Sequence, residues 1–402
     1  MRVRRTAGQA ILGTIKPVLA ARLPPAAALG PPLALPPAVL GVFKAALGHG
    51  SSARLLMAEL LQAGFLPTAI DVTQAVGADV NDQRAFSTGG EDTGGPLILA
   101  INPDTMLVAL AGRKKVLSQR AVIGYFVWEL EEPPASWRAV RHALHGVWSP
   151  SRFSADGLAR SFGCEVSVIP HPVALAPPPK PTAEARARGL AQIGAQEGDF
   201  VALSSFSVTS SLARKNPFGA IQAFEAAFGG SPRHRLVLRC LGSRRFPEAL
   251  QALRAAVRGA KATITLIDEP QGVEELFDLY AACDVLLALH RSEGFGLNLA
   301  EAMLSERAVI ATRWSGNLDF MDAESAALVD YTLVPVEDPQ RIYRMKGARW
   351  AEPSLEQATA HLRRLAADPD GRAQLAQRGA AMARARLSGG PAAEALQRWT
   401  AP

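Results

Sequence analysis

Two glutamates, Glu293 and Glu301, flank a glycine-containing turn that could bind a ligand rich in hydroxyl groups. Gly294 and Gly296 let the backbone approach such a ligand, and a helix is predicted to begin near Leu297. The free N–H groups and positive dipole end of a helix start favour a phosphate. Glu301 is placed to accept hydrogen bonds from ribose hydroxyls and Glu293 from hydroxyls of a sugar, so a nucleotide diphosphate-sugar fits this layout.

A plainer structural interpretation stays open for either glutamate taken alone. A glutamate next to a glycine-rich turn can cap its own helix, and such a turn needs no ligand. If the segment binds a nucleotide-sugar, the residues predicted to contact it belong to the turn, the helix start and the histidine that ends the preceding strand. They are His290, Gly294, Phe295, Gly296, Leu297 and Glu301.

The whole string from His290 to Met303 resembles the E-x(7)-E signature of family 4 of the retaining glycosyltransferases. Glu293 and Glu301 match its two glutamates, and the flanking segments continue the resemblance at 284–287, 308–312 and 315–317. This resemblance implies the GT-B fold, an α/β architecture of two doubly wound Rossmann-like domains facing across a cleft. It also implies transfer of a sugar from a nucleotide diphosphate to an acceptor hydroxyl with retention of configuration.

Lys215 matches a family lysine that grips the donor diphosphate, and Arg214 stands beside it. The resemblance therefore implies catalytic roles for Glu293, Lys215 and Arg214. An arginine that family members carry about six residues upstream is replaced here by the run 209–211, Thr-Ser-Ser. Arg214 or Arg291 could substitute for it, and the alternative is that the basic pair is only the solvated start of a helix.

The first half of the chain carries weaker matches. Gly48 and Gly50 resemble the glycine-rich first loop that faces the donor diphosphate in this family. Trp128 and Glu129 stand where many members place a histidine, so Glu129 is predicted either to contact the acceptor or simply to cap a loop. Three further stretches resemble a bacterial surface-polysaccharide branch of the family: 123–130, 148–153 and 347–353.

The order of elements must place these residues at one edge of each sheet. Apolar runs alternate with helical patterns, which predicts parallel sheets covered on both faces, and open sheets of this kind bind ligands at the carboxyl ends of their strands. Pro-rich residues 170–181 mark the best boundary. The predicted organisation is a proline-rich lead, an acceptor-binding domain, a nucleotide-sugar-binding domain and a tail, at 1–37, 38–178, 179–386 and 387–402.

Composition excludes several classes of protein. The chain has 402 residues, of which 48% are hydrophobic, and a net charge of +6, which is too diffuse for a nucleic-acid binder. Its three separated cysteines predict reduced thiols in the cytoplasm, and no histidines stand at metal-ligand spacing. No apolar run reaches the ~20 residues of a membrane span, and no compact signal-peptide core follows the first arginines.

A peripheral membrane contact is a softer hypothesis. Arg2, Arg4 and Arg5, together with 113–115, are basic segments of the predicted acceptor-binding half. A lipid-linked acceptor would bring that half to an anionic leaflet. The alternative is an ordinary solvated face.

The sequence thus predicts a metal-independent glycosyltransferase of the hexosyltransferase type, with a glycan or lipid-linked glycan as acceptor and no bound cofactor. Basic groups replace a metal ion, because no Asp-x-Asp pair ends a strand. Two alternatives stay open. One is a nucleotide-sugar epimerase, and the other is a catalytically silent scaffold of the same fold.

Overall fold

The computed structural model forms two compact units, Met1–Leu175 with Gly389–Pro402, and Ala176–Ser388. Arg2, Arg4 and Arg5 lie outside the described residues, as does the side chain of Lys114. The structure describes residues 16–26, 35–45, 48–80, 88–89, 94–118, 120–175, 177–242, 246–269, 271–343 and 345–400.

Unit 1 contains a six-stranded parallel sheet with the order β2-β1-β3-β4-β5-β6. A helical segment at 16–21 precedes it, and 3-10 turns lie at 114–117, 135–143 and 173–175. The strands are β1 (Ala38–Gly41), β2 (Thr68–Asp71), β3 (Leu97–Leu99), β4 (Val122–Tyr125), β5 (Gly146–Ser149) and β6 (Ser167–Val168). The helices between them are α1 (Gly48–Gln62), α2 (Pro103–Ala109) and α3 (Arg152–Phe162).

Unit 2 contains a second six-stranded parallel sheet. Its strands are β7 (Phe200–Ser207), β8 (His234–Leu241), β9 (Thr263–Ile267), β10 (Val285–Ala288), β11 (Ala308–Thr312) and β12 (Ala327–Val329). Their order is β12-β11-β10-β7-β8-β9, so the winding direction reverses between β7 and β10. The predicted α/β class with two doubly wound sheets is confirmed.

Helices cover the second sheet, and one predicted helix is in fact two. The sequence pattern predicts a helix over about 354–386, but Pro369 starts a new helix that Asp368 caps by accepting a hydrogen bond from Gly371 N–H at 2.9 Å. The helices of unit 2 are α4 (Ala183–Ile193), α5 (Leu212–Lys215), α6 (Pro217–Phe228), α7 (Pro247–Gly259), α8 (Val273–Ala282), α9 (Leu297–Leu304), α10 (Leu355–Ala367) and α11 (Pro369–Leu387).

An antiparallel hairpin interrupts the α/β alternation after β12. Its strands are β13 (Tyr331–Pro335) and β14 (Arg349–Pro353), paired with Tyr331 opposite Pro353 and Pro335 opposite Arg349. The sequence pattern does not predict it, because neither strand alternates cleanly between apolar and polar residues.

Each sheet has its own apolar core. Strand residues that are almost fully buried pack against helices on the sheet faces. Each Å² of apolar surface that is buried in this way stabilises the fold by about 25 cal/mol. In unit 1 this core includes Val39, Leu56, Ile98, Ile123 and Trp148, and in unit 2 Ala202, Phe224, Leu238, Leu287 and Ile310. Within the described part of the chain, no helix is both long and apolar enough to cross a membrane.

A last helix, α12 (Pro391–Thr400), packs on unit 1 through a buried carboxylate. Glu59 of α1 is 1% exposed, and its Oε1 accepts hydrogen bonds from the backbone N–H groups of Ala392 at 2.6 Å and Ala393 at 3.0 Å. The residues predicted to form a tail therefore include a helix that a carboxylate of α1 caps. Burial raises the pKa of Glu59 to about 6, although the two N–H groups oppose the shift.

Replacing Glu59 with Gln is expected to stabilise the protein at neutral pH but not in mild acid. Because the folded-state pKa exceeds the ordinary value of 4.5, the contribution of Glu59 is complete below that pH and is lost as pH rises through about 6. The loss amounts to about 2 kcal/mol, and Gln keeps an acceptor oxygen without the charge. Thermal denaturation of both proteins at about pH 4.5 and at neutral pH tests this, and a difference in stability that is the same at both pH values would contradict it.

Candidate functional site

The candidate site of unit 2 lies where its sheet reverses winding direction. β7 and β10 are neighbours there, and the loops that follow their carboxyl ends are 208–216 and 289–296. Such a switch point is the usual ligand site of a doubly wound sheet, because the two loops diverge to opposite faces and leave a crevice. Both loops carry residues that the sequence predicts to be functional.

Glu293 and Lys215 form a close ion pair across these loops. Lys215 Nζ lies 2.5 Å from Glu293 Oε1, and Arg214 Nη1 lies 3.1 Å from Glu293 Oε2. The side chain of Glu293 is 9% exposed, that of Lys215 14% and that of Arg214 2%. Lys215 and Glu293, which are 78 positions apart in the sequence, therefore meet at one edge of the sheet. Of the two cations that contact Glu293, Lys215 is more accessible than Arg214.

Arg214 is held by the protein on several sides. Its guanidinium donates to the carbonyl oxygens of Ser210 at 3.1 Å and Ser292 at 2.6 Å, and it lies 5.7 Å from the ring centre of Tyr343. These contacts fix it behind Glu293. The geometry makes Arg214 a support for the carboxylate and leaves Lys215 as the cation closer to the surface.

The charges around Glu293 keep it ionised. Burial alone raises the pKa of a carboxyl group, but the positive charges of Lys215 and Arg214 outweigh it and lower the pKa of Glu293 to about 2. The site therefore holds a permanent carboxylate at neutral pH, which can accept but not donate hydrogen bonds.

A strained serine holds the backbone of Glu293. Ser315 has φ of +79°, a conformation that few non-glycine residues adopt, and its Oγ accepts a hydrogen bond from the N–H of Glu293 at 2.7 Å. Gly316 N–H donates to the carbonyl oxygen of Glu293 at 3.0 Å. A β-carbon at Gly316 would lie 2.4 Å from the carbonyl oxygen of Gly294, so only glycine fits this approach.

His290 is buried and turned toward the protein. Its Nε2 lies 3.1 Å from Oδ1 of Asn317, and its Nδ1 lies 3.1 Å from the carbonyl oxygen of Ala288. Burial lowers the pKa of His290, so the imidazole is neutral near pH 7. The structure thus places His290 in the loop that carries Glu293, with both ring nitrogens near protein oxygens, although the single N–H of a neutral imidazole can donate to only one of them.

Glu301 lies in the second turn of α9 beside a buried tyrosine and arginine. Tyr280 Oη donates to Glu301 Oε2 at 3.2 Å. Burial raises the pKa of Glu301, while that hydrogen bond and the charge of Arg239 lower it in part. Arg239 is itself 7% exposed and donates to Oε1 of Gln271 and to Oγ of Ser205.

The remaining predicted donor contacts form the turn between Glu293 and α9. Gly296 has φ of +100° and precedes the first residue of α9, Leu297, which is partly exposed. Phe295 is 2% exposed and packs on Phe320 at 4.9 Å between ring centres. Phe295 therefore anchors the turn in the core, and the whole turn from Ser292 to Gly296 is buried, so that Leu297 is the first partly exposed residue after it.

The predicted residues of unit 1 form a separate set at the carboxyl ends of β1 and β4. Gly48 and Gly50 lie in the first turn of α1, and a β-carbon at Gly50 would meet the carbonyl oxygen of Ala45 at 2.1 Å. Trp128 follows β4 and is 8% exposed, with its indole N–H donating to the carbonyl oxygen of Glu132 at 2.7 Å. Glu129 next to it is partly exposed.

Several site residues have no individual signal in the sequence. Ser315 and Asn317 belong to the turn that resembles the family, yet their contacts with Glu293 and His290 depend on the strand order. Tyr280 lies in a helix whose apolar pattern predicts it to be a core residue, and Arg239 lies within β8, outside any motif. Among the described residues, no group of three or more His, Cys, Asp or Glu side chains could hold a metal ion.

Comparisons with known proteins agree with this architecture. Residues 206–345 match the family model described as glycosyl transferases group 1. No curated protein matches the sequence significantly.

Solved structures resemble the whole chain at low identity. A glycosyltransferase from Rickettsia africae has a TM-score of 0.63 and 13% identity, covering 91% of this chain and 99% of its own. HepE from Anabaena, solved with UDP-glucose, has a TM-score of 0.61 and 14% identity over 90% of this chain and 98% of its own. Sucrose-phosphate synthase from Thermosynechococcus elongatus has a TM-score of 0.58 and 17% identity over 90% and 96%.

These structural likenesses span both units, and the family match spans both site loops of unit 2. The family match thus covers 206–345 only, and the two-sheet α/β fold of the whole chain is similar to that of these GT-B glycosyltransferase structures.

Proposed function

We propose that this protein transfers a sugar from a nucleotide diphosphate-sugar to an acceptor hydroxyl, with retention of anomeric configuration and without a metal ion. The observation that carries the proposal is the ion pair of Lys215 with Glu293 at the switch point of the second sheet, directly before the start of α9. The family match over this region supports it. The acceptor is proposed to be a glycan or a lipid-linked glycan made on the cytoplasmic side, as in the surface-polysaccharide branch that the sequence resembles.

The donor is proposed to lie across the two loops. Lys215 and the N–H groups at the start of α9 meet its diphosphate, because a helix N-terminus and an ammonium both favour phosphate oxygens. Glu301 accepts hydrogen bonds from the ribose hydroxyls, and Glu293 accepts from hydroxyls of the transferred sugar. Glycines 294 and 296 keep the turn open to the ligand. Glycines 48 and 50 and residues 128–129 of unit 1 are proposed to serve the diphosphate and the acceptor.

The chemical task of the protein is to stabilise charge on the departing diphosphate. As the bond from the anomeric carbon to the diphosphate breaks, negative charge grows on the phosphate oxygens and positive charge on the sugar ring. Lys215 faces the first charge, and the permanent carboxylate of Glu293 faces the second. The attacking acceptor hydroxyl gives its proton to the leaving diphosphate on the same face, which accounts for retention. A preorganised group of this kind is worth about 2.7–4 kcal/mol.

A thermal-shift screen against UDP, GDP, ADP and their sugar conjugates, without added metal, tests the proposal. Because HepE was solved with UDP-glucose, UDP is the first choice. A ligand that binds only the folded state stabilises it by about 2.7 kcal/mol at 100 times its Kd. Release of the nucleotide from its sugar conjugate only when an acceptor is added would support transfer. A changed sugar without acceptor would instead indicate an epimerase, and no shift with any nucleotide would indicate a silent scaffold.

Replacing Tyr280 with Phe is expected to weaken recognition of the ribose hydroxyls alone. The change removes only the hydroxyl that donates to Glu301 Oε2, so the carboxylate loses a positioning contact. A hydrogen bond to a charged group is worth about 1.5–3 kcal/mol, but the tyrosine acts on the ribose only through Glu301, so we expect a smaller, several-fold loss of affinity for the ribonucleotide. Binding of the matching 2′-deoxynucleotide is the control. Equal losses for both nucleotides would show that Tyr280 acts on stability only.

A further inference from the structure

The hairpin β13–β14 contacts both loops of unit 2 to which the nucleotide-sugar is proposed to bind, 208–216 and 289–296. Arg291 donates to both carboxylate oxygens of Glu352, at 2.6 and 3.0 Å, and lies 5.6 Å from the ring centre of Trp350. The N–H of Ala351 donates to the carbonyl oxygen of Arg291. These contacts fix β14 against the loop that carries Glu293.

The loop that joins β13 to β14 contacts the loop 208–216. Asp338 Oδ1 accepts a hydrogen bond from Ser211 Oγ at 2.9 Å. The side chain of Gln340 accepts from Leu212 N–H at 2.5 Å and donates to the carbonyl oxygen of Val208 at 2.6 Å. Asp338 and Gln340 therefore hold the described part of the hairpin loop against the segment 208–212, which leads to Lys215.

Three basic residues of the hairpin are exposed. Arg341, Lys346 and Arg349 are exposed, and in the part of the chain that the structure describes their side chains make no hydrogen bond or ion pair. Other arginines of unit 2 do have partners, among them Arg186, Arg188, Arg214, Arg233, Arg254, Arg291, Arg313, Arg372 and Arg384.

The acids of the hairpin do not neutralise these cations. Asp338 is occupied by Ser211 and by backbone N–H groups of its own loop, and Glu352 is paired with Arg291. Glu337 is the one exposed carboxylate among the described loop residues. Arg341 also has φ of +60°, a conformation in which glycine would cost less, so the loop keeps an arginine side chain at the expense of backbone strain.

We propose that Arg341, Lys346 and Arg349 form an anion-binding surface for a saccharide substrate that carries carboxylate or phosphate groups. The proposal rests on the proposed transferase function and names the class of acceptor: an anionic glycan rather than a neutral one. Guanidinium groups suit it because they pair with carboxylate and phosphate in a bidentate way. The position suits it because the hairpin contacts both loops to which the nucleotide-sugar is proposed to bind.

The composition of the hairpin favours a soluble saccharide over a lipid bilayer. Membrane-binding elements expose large apolar or aromatic side chains next to their basic ones. Tyr343 and Trp350 are buried, and no large apolar side chain is exposed among the described residues of 331–353. A surface of cations without an apolar anchor fits a hydrated polyanion.

The test measures binding of fluorescein-labelled hexagalacturonate to the full-length protein by anisotropy at low ionic strength, with labelled maltohexaose as the neutral probe. The hairpin variant carries Arg341→Gln, Lys346→Gln and Arg349→Gln. The matched control carries Arg258→Gln, Lys261→Gln and Arg386→Gln, which removes the same charge from exposed positions elsewhere in unit 2. We expect the hairpin variant to bind hexagalacturonate about tenfold more weakly, as three exposed pairs would, and the control to bind normally.

Several outcomes would overturn the proposal: no binding of hexagalacturonate by the wild type, equal binding of maltohexaose, or equal losses in both variants. Loss of binding to phosphatidylglycerol vesicles without loss of the saccharide would assign the surface to a membrane instead. Nucleotide-dependent thermal shifts are measured on the same samples. A normal shift in the hairpin variant shows an intact donor site, and a missing shift in the wild type would count against the transferase function and not against the anion surface.

Discussion

Replacing Glu293 with Gln is expected to reduce sugar transfer by about 10²–10³-fold, the usual effect of removing one preorganised group from a reaction centre. The carboxylate is ionised at neutral pH because Lys215 and Arg214 lower its pKa to about 2. Gln has nearly the same shape but no charge, so the growing positive charge on the sugar loses its partner. Initial rates of nucleotide release in the presence of acceptor measure the effect.

Glu293→Gln is also expected to lower the free energy of unfolding, so the loss of stability has to be distinguished from the loss of catalytic rate. Removing one partner of a buried pair leaves an uncompensated charge and costs about 3–5 kcal/mol. Arg214, at 2% exposure, is the group left behind, while Lys215 is nearer to water. The variant is therefore assayed at a temperature at which circular dichroism shows it folded. Glu356→Gln, at an exposed position on α10, is the matched control. Wild-type rates from folded Glu293→Gln would contradict the assignment.

Replacing Lys215 with Ala is expected to weaken binding of the nucleoside diphosphate by about 10- to 100-fold, since a hydrogen bond to a charged group contributes about 1.5–3 kcal/mol. The ammonium is the more accessible of the two cations on Glu293, whereas Arg214 is engaged with the carbonyl oxygens of Ser210 and Ser292. Isothermal titration with the nucleotide found in the screen measures the loss.

The nucleoside without phosphates distinguishes a phosphate contact from a general disturbance of the site. We expect its affinity to stay unchanged in Lys215→Ala, because the lysine is proposed to contact only the diphosphate. Lys261→Ala, an exposed lysine just before β9, is the matched control. If the variant binds the diphosphate as well as the wild type does, Lys215 has no phosphate role.

The sequence could predict the fold because its signal is local and repeated. Buried strands such as Val285–Ala288 appear as short apolar runs, and each is followed by a helical pattern that forces a parallel crossover. The hairpin β13–β14 escaped prediction because its strands carry charged and apolar residues without a period of two. β14 is held in place by contacts of Arg291 with Glu352 and Trp350, which are distant from it in sequence.

The site could be predicted only as far as its motif extends. The resemblance singles out Glu293 and Lys215, and the structure places them 2.5 Å apart. It could not reveal that Arg214 is buried while Lys215 is accessible, because the two are sequence neighbours and only packing against Tyr343 and Ser292 distinguishes them. The role of Tyr280 could not be predicted either, because a buried tyrosine in a helix has the same sequence pattern whether or not its hydroxyl donates to a carboxylate.

The cap that Glu59 places on α12 has a consequence for how the chain is made. Unit 1 gathers residues from both sides of unit 2, so a ribosome completes all of 176–388 before it releases the helix that Glu59 holds. During that interval the carboxylate of Glu59 lacks the two N–H groups that satisfy it, and the apolar surface that Leu396 covers is open. The second sheet can therefore fold while unit 1 has all six of its strands but still lacks α12.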